Sequence, residues 1–193
     1  ESVEETGQVE LAGRKQLVTI LFTDIRGFTS WCDAQEPEAV VASLNHYFSR
    51  MTAIIVKHGG QINKFIGDGI LAIFSDDEGA HLGDHPTRAV RCAIEMTSLA
   101  GQFRTGAGIH TGYAVVGNVG SGDKMDYTAL GDTVNLAARL EGQNKEFKTS
   151  ILLSSATRER LDPSIPVRRI GEIAVRGKSA LQEIYTVSEE IVV

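Results

Sequence analysis

Gln61-Ile-Asn-Lys-Phe-Ile-Gly-Asp-Gly-Ile-Leu-Ala-Ile-Phe74 is two short apolar runs, 61–66 and 70–74, set around Gly67-Asp68-Gly69. Glycines flanking an aspartate between β-formers predict a hairpin with Asp68 at its tip. Upstream, Leu17-Val-Thr-Ile-Leu-Phe-Thr23 is β-branched and aromatic and predicts a buried strand ending at Asp24. Between strand and hairpin, Val41, Leu44, Phe48, Met51 and Ile55 recur at steps of three and four, as one face of a helix requires. Glu36-Pro37 opens that helix and Gly59-Gly60 closes it. Strand, helix, hairpin is the first half of a split βαβ unit.

The second half follows. Ser75 to Gly83 is a polar loop, and Asp84 is placed to cap a helix running to about Ala100 with Pro86 in its first turn. Residues 104–118 predict two strands broken at Thr111-Gly112. A third helix is expected from a cap at Asp132 through Glu141, closed by Gly142, then a strand at 150–153, a helix at 154–161 and strands near 167–175 and 181–187. The fold class is therefore α+β, a ferredoxin-like βαββαβ core with a C-terminal α/β extension. Helices on one face would leave the other open to a substrate or a partner. Residues 1–15, polar and acidic, predict a linker or frayed end, and 16–193 form one domain.

A net charge of −6 disfavours broad binding to nucleic acid, although an anionic small molecule could be held where positive charge is local. The two cysteines, Cys32 and Cys92, lie far apart in no metal-binding spacing and read as reduced thiols. The longest apolar run, Leu17–Phe22, is too short to span a bilayer, and no signal peptide is visible. The expectation is a soluble cytoplasmic domain, with regulatory domains elsewhere in a larger or membrane-attached chain.

Asp24 at a strand end and Asp68 at a hairpin tip meet at one edge if the strand pairs beside the hairpin. Two carboxylates suit Mg²⁺, which takes few protein ligands; equally, one aspartate could cap a helix and the other fill a turn. The turn Ile25-Arg26-Gly27-Phe28 enters a helix, where free amides can hold phosphate oxygens. Asn135 and Arg139, four apart, share a helix face; they are either an amide and a guanidinium for sugar and phosphate or a solvated surface pair. His81 and His85 sit among acids without fixed geometry, and His110 reads as a strand histidine satisfied in the core.

Phe22-Thr-Asp24-Ile-Arg-Gly-Phe-Thr29, Lys64-Phe-Ile-Gly-Asp68 and Gly131-Asp-Thr-Val-Asn135-Leu-Ala-Ala-Arg139 together resemble, in order and spacing, the signature segments of class III nucleotidyl cyclases. Gly108-Ile-His-Thr-Gly112 is similar to a further strand of that family, and the resemblance runs from about residue 16 to 188. It implies an adenylate cyclase, a lyase forming 3′,5′-cyclic AMP and pyrophosphate from ATP. Asp24 and Asp68, with the main chain of Ile25, would hold two divalent metal ions (Mg²⁺ or Mn²⁺). Asn135 would position ribose, and Arg139 would stabilise charge on the α-phosphate. Ile25, Arg26, Gly27 and Phe28 would line the phosphates, with Arg176 standing where the family has a phosphate-binding lysine.

Lys64 occupies the base-reading position that is lysine in adenylyl and glutamate in guanylyl cyclases; a lysine only donates, which suits adenine's acceptor nitrogens. The second base reader falls on Thr128, as in a threonine-bearing subgroup of bacterial and soluble-type enzymes. Tyr113 departs from the pattern, standing where relatives often carry a triphosphate-contacting arginine. In the family the metal aspartates come from one subunit and the lysine, asparagine and arginine from the other. A head-to-tail homodimer with two shared sites is therefore implied. The rival readings are a guanylate cyclase and a nucleotide-binding regulatory module without turnover.

Overall fold

The computed structural model describes residues 13–76, 84–121, 124–174 and 181–188. Residues 1–12 of the expected linker, most of the 75–83 loop with His81, and Arg176 lie outside the described residues. The elements in chain order are β1 (Arg14–Ile25), α1 (Phe28–Cys32), α2 (Pro37–Lys57), β2 (Gln61–Ile66), β3 (Gly69–Phe74), α3 (His85–Ser98), β4 (Thr105–Ser121), β5 (Lys124–Leu130), α4 (Asp132–Phe147), β6 (Ile151–Ser154), α5 (Ser155–Arg158), β7 (Val167–Ala174) and β8 (Leu181–Val187).

The sheet runs β2-β3-β1-β4-β6-β8-β7, with β5 hairpinned onto β4. β1 lies between β3 and β4, antiparallel to both. The first four core strands thus take the split βαβ order the hairpin predicts. The extension adds β6 parallel to β4, then β8 and β7 antiparallel.

Side-chain alternation along β1 sorts the core into two sides. Leu21 and Ile25 join Ile54, Ile55, Ala89, Val90 and Met96 of α2 and α3. Val18 and Ile20 face the other way, with Leu71, Ile73, Ala114, Val116 and Ala137 of α4. Helices therefore cover both faces, correcting the expectation of helices on one face only. The cause is on β4: a Cβ at Gly108 would meet the backbone of Ala137 and Glu141, so only glycine lets α4 lie this close. Leu136 and Leu140 extend the same contact to Leu152, Ile173 and Ile184.

Several boundaries differ from expectation: β1 begins at Arg14, inside the stretch expected as linker, and α5 is shorter than the expected 154–161. β4 is one continuous strand rather than two: Thr111 pairs with Thr19 and Gly112 with Val18 in unbroken register. Gly112 marks a close approach, not a break, because a Cβ there would lie 2.8 Å from Thr133 Oγ1. α4 starts after Gly131 (φ 128), so Asp132 is its first helical residue rather than its cap. It passes through Gly142 to Phe147, held by Asn144, whose amide donates to the Ala107 carbonyl at 2.8 Å, and it stops at Lys148 in the left-handed region (φ 53). Asp84 precedes α3 as expected, without a side-chain capping bond.

On α2, Met51 and Ile55 are buried, and Leu44 and Phe48 pack at the edge of the core, but Val41 is exposed. β5 was not foreseen. The two cysteines are free thiols, and no described helix is long and apolar enough to cross a membrane.

Candidate active site

Asp24 is the penultimate residue of β1 and points to the α4 side, in register with Gly106 of β4. Gly67, at φ +61, turns the β2–β3 hairpin back. Gly69 then lets β3 start against β1, since a Cβ there would lie 2.7 Å from the Thr23 carbonyl. The result brings Asp68 to the end of β1, where its Oδ2 accepts from the Ile25 amide at 3.2 Å. The Asp24 and Asp68 carboxyls are hydrogen-bonding neighbours. Asp24 lies within β1 and caps no helix, and Asp68 bonds to the end of β1 from outside its own turn.

The pairing is electrostatically costly. Burial first, then the hydrogen bond and charge of Asp68, then the charge of Glu141, push Asp24 from 3.8 up to about 7, against a smaller opposing pull from the Ile25 amide. Glu141 is itself raised by burial, partly countered by Arg26, whose Nη1 lies 3.5 Å from its Oε1. Sequence reading missed Glu141, which had been only the end of a helix. Arg26 turns its guanidinium towards α4, and its amide donates to the Arg104 carbonyl at 2.8 Å. Phe28 anchors the turn by stacking on Trp31 and meeting Phe103 edge-on, each at 5.8 Å between centroids. Gly27 holds φ 69.

The pair satisfies a test for divalent metal. Two partly buried acidic oxygen donors converge, Glu141 adds a further negative charge nearby, and Arg26 is paired with Glu141. Among the described residues no cluster of three or more metal-ligating side chains occurs, so the donors present are these two carboxylates.

The remaining predicted residues fall into a second group. Lys64 pairs with Leu71, so it shares the α4 side with Asp24, and it is exposed. Thr128, on β5, is buried and donates to Asn63 Oδ1 at 3.3 Å. Asn63 immediately precedes Lys64, so the two base-reading candidates are linked within one chain. Asn135 and Arg139 lie on α4, both exposed. Each is two residues, about 200°, from Ala137, which packs on Gly108. They therefore project away from the sheet that carries the carboxylates, and one chain does not bring the two groups together.

His110 is a satisfied core residue, its Nδ1 2.7 Å from Ser154 Oγ, and His85 is buried with Nδ1 2.8 Å from Thr19 Oγ1. Tyr113 lies exposed near the start of β1, opposite Leu17, with the Lys15 ammonium 5.2 Å from its ring. A pocket of about 460 Å³ lined by Thr97, Lys148, Arg168 and Thr186 contains none of these residues.

This arrangement has counterparts. The chain is 39% identical to adenylate cyclase 1 of Rhizobium meliloti over 190 residues, 91% of this chain and 28% of that protein. It superposes on the adenylyl cyclase CyaB from P. aeruginosa with a TM-score of 0.82 at 34% identity, covering 93% of this chain and 97% of the other. The guanylyl cyclase Cya2 gives a TM-score of 0.78, also at 34% identity, with the same coverages. Residues 11–189 match the model of the adenylate and guanylate cyclase catalytic domain, and the chain belongs to that family.

Proposed function

We propose that this domain is an adenylyl cyclase that converts ATP to 3′,5′-cyclic AMP and pyrophosphate as a head-to-tail homodimer with two shared sites. The observation that carries the reading is the meeting of Asp24 and Asp68 at the end of β1. Asp24, Asp68 and the main chain of Ile25 would hold two divalent ions. Bound there, such ions supply Lewis acidity and neutralise the triphosphate.

The residues of the chain divide the rest of the work. Asn135 orients the ribose so that its 3′-oxygen lines up with the α-phosphorus. That oxygen attacks, the P–O bond to the β-phosphate breaks, the hydroxyl proton is released and pyrophosphate departs. Arg139 stabilises the charge that builds on the α-phosphate oxygens. Gly27, Phe28 and Arg176 are assigned to the phosphates; Arg26, its amide held by Arg104 and its guanidinium against Glu141, would reach them only by leaving Glu141. Lys64 donates to an acceptor nitrogen of adenine, and the Thr128 hydroxyl accepts from the 6-amino group. The shared site is supported by α4: its Asn135 and Arg139 face away from their own chain's carboxylates and reach a partner's.

The base deserves its own test, because solved neighbours at equal identity include both an adenylyl and a guanylyl cyclase. Product formation from ATP and GTP is measured side by side, with Mg²⁺ and Mn²⁺, on wild type and Lys64→Glu. The expected result is cyclic AMP from ATP, much less product from GTP, and loss of that preference in the variant. Preference for GTP would assign a guanylyl cyclase. No cyclic product from folded dimer would assign a binding module without turnover.

A further inference from the structure

The register of β2 contains an irregularity at the position where the base would be read. Ile62 pairs with Ala72 and Lys64 with Leu71, adjacent partners on β3, so Asn63 is an extra residue in the ladder. Such a bulge re-aims side chains. Without it, Ile62 and Lys64 would share a face; with it, Ile62 packs into the α2–α3 side while Lys64 moves to the side of Asp24. The same bulge lets Asn63 reach β5, where its Oδ1 accepts the Thr128 hydroxyl proton at 3.3 Å. The contact is long for O–H···O.

We infer that Asn63 is a specificity-determining positioning residue, which fixes the polarity of Thr128 by taking its only proton. A threonine hydroxyl has one proton and two lone pairs, so alone it accepts or donates with equal ease. Adenine presents an acceptor ring nitrogen beside an amino donor; guanine presents a ring N–H donor beside a carbonyl acceptor. Against an ambivalent hydroxyl the two bases differ little. With its proton held by Asn63, Thr128 offers lone pairs only. Beside Lys64, which only donates, the chain then displays a donor and an acceptor in the order adenine matches and guanine opposes. This rests on Lys64 and Thr128 being the base readers, as proposed above. Asn63 itself touches no substrate and acts through Thr128.

The test compares kcat/KM for ATP and for GTP on the dimeric wild type, Asn63→Ala, Asn63→Asp, Thr128→Ala and the Asn63→Ala/Thr128→Ala double variant. Asn63→Ala is expected to lower the ATP-to-GTP ratio about tenfold, through a higher KM for ATP and a lower one for GTP, with little change in kcat for ATP. Asn63→Asp keeps the acceptor and should stay within about twofold of the wild-type ratio. In the Thr128→Ala background, removing Asn63 should change the ratio no further. Asn63→Ser, too short to reach Thr128, replaces the alanine variant if that fails to fold. An equal loss for both nucleotides, or an undiminished effect of Asn63→Ala when Thr128 is absent, would overturn the role of Asn63. A ratio that moves with Thr128→Ala but not with Asn63→Ala overturns this inference alone. A ratio unmoved by Thr128→Ala overturns the base-reader assignment and the role of Asn63 with it.

Discussion

Asp24→Asn should make the metal-free domain more stable at pH 8, by a margin that shrinks as pH falls and vanishes towards pH 4. In the native state Asp24 is raised from 3.8 to about 7, chiefly by burial and then by Asp68. Between those values the folded protein holds a proton that the unfolded chain has released. The unfolded state binds fewer protons there, so stability falls as pH rises through the window and levels off above it. A displacement of this size corresponds to about 4 kcal/mol if taken in full. Asp24 is only partly buried, so screening by solvent reduces the usable figure to about 1–2 kcal/mol. For a domain of this length that is a fall in Tm of about 2–8 °C.

Asparagine has nearly the shape of protonated aspartate but cannot ionise, so the variant should lose this slope. Thermal unfolding in EDTA from pH 5 to 8.5, on both proteins, isolates the effect. His85, held below its usual range by burial, has the opposite pH dependence, but it is present in both proteins and cancels in the difference. Saturating Mg²⁺ should stabilise wild type at pH 8 far more than the variant, because the ion supplies the positive charge the pair lacks. A wild-type minus variant difference that stays constant with pH would refute the claim that this carboxylate pair is strained.

Asp68→Ala and Asn135→Ala chains, each inactive alone, should regain activity when mixed, since a heterodimer then contains one intact site; absence of recovery in a mixture shown to exchange subunits would sink the shared-site arrangement. Arg139→Ala should lower kcat by about 10²–10³ with no change in Tm, as its side chain is exposed on α4 and its proposed role is charge stabilisation rather than packing. Gly108→Ala should cost about 3 kcal/mol, the upper end for overpacking, because the added methyl meets α4 backbone rather than a yielding side chain; denaturant unfolding with an unchanged midpoint would show that α4 can be displaced cheaply.

What was legible in the sequence is what local chemistry encodes. The β-branched run before Asp24, the Gly67-Asp68-Gly69 tip and the three-four stripe of α2 each predict an element from neighbours in the chain. Their pairing order follows from the split βαβ rule, and the meeting of Asp24 and Asp68 follows from the pairing. Glycine is where the reading went astray, because one residue serves two purposes. From the sequence alone, Gly112 reads as a break and Gly142 as a stop. In the fold, Gly112 clears Thr133, while Gly142 sits on the exposed side of a helix held from its buried side by Leu140, Glu141 and Asn144. Only knowledge of the opposing element distinguishes a glycine that turns the chain from one that admits a neighbour. The bulge at Asn63 is hidden for the same reason: an extra residue in a ladder has no signature until its partner strand is known.

The placement of α4 was the largest thing the sequence withheld, and it bears most directly on function. A helix expected beside α2 and α3 would leave the far face of the sheet open. Instead α4 packs on that face through Leu136, Ala137, Leu140 and Glu141, on a β4 cleared by Gly108. The same geometry that buries Ala137 turns Asn135 and Arg139 outward by about 200° each, in opposite senses, onto one exposed stripe. Asp24 and Lys64 share the side of the sheet on which α4 sits, yet the outward stripe points away from both. On the proposed roles, a chain with its metal-binding carboxylates on the sheet and its ribose and phosphate residues on the far side of a helix would be incomplete alone. Laid against a second copy in reverse, the stripe of one chain can face the carboxylates of the other, and the rotation that exchanges them makes the second site identical to the first.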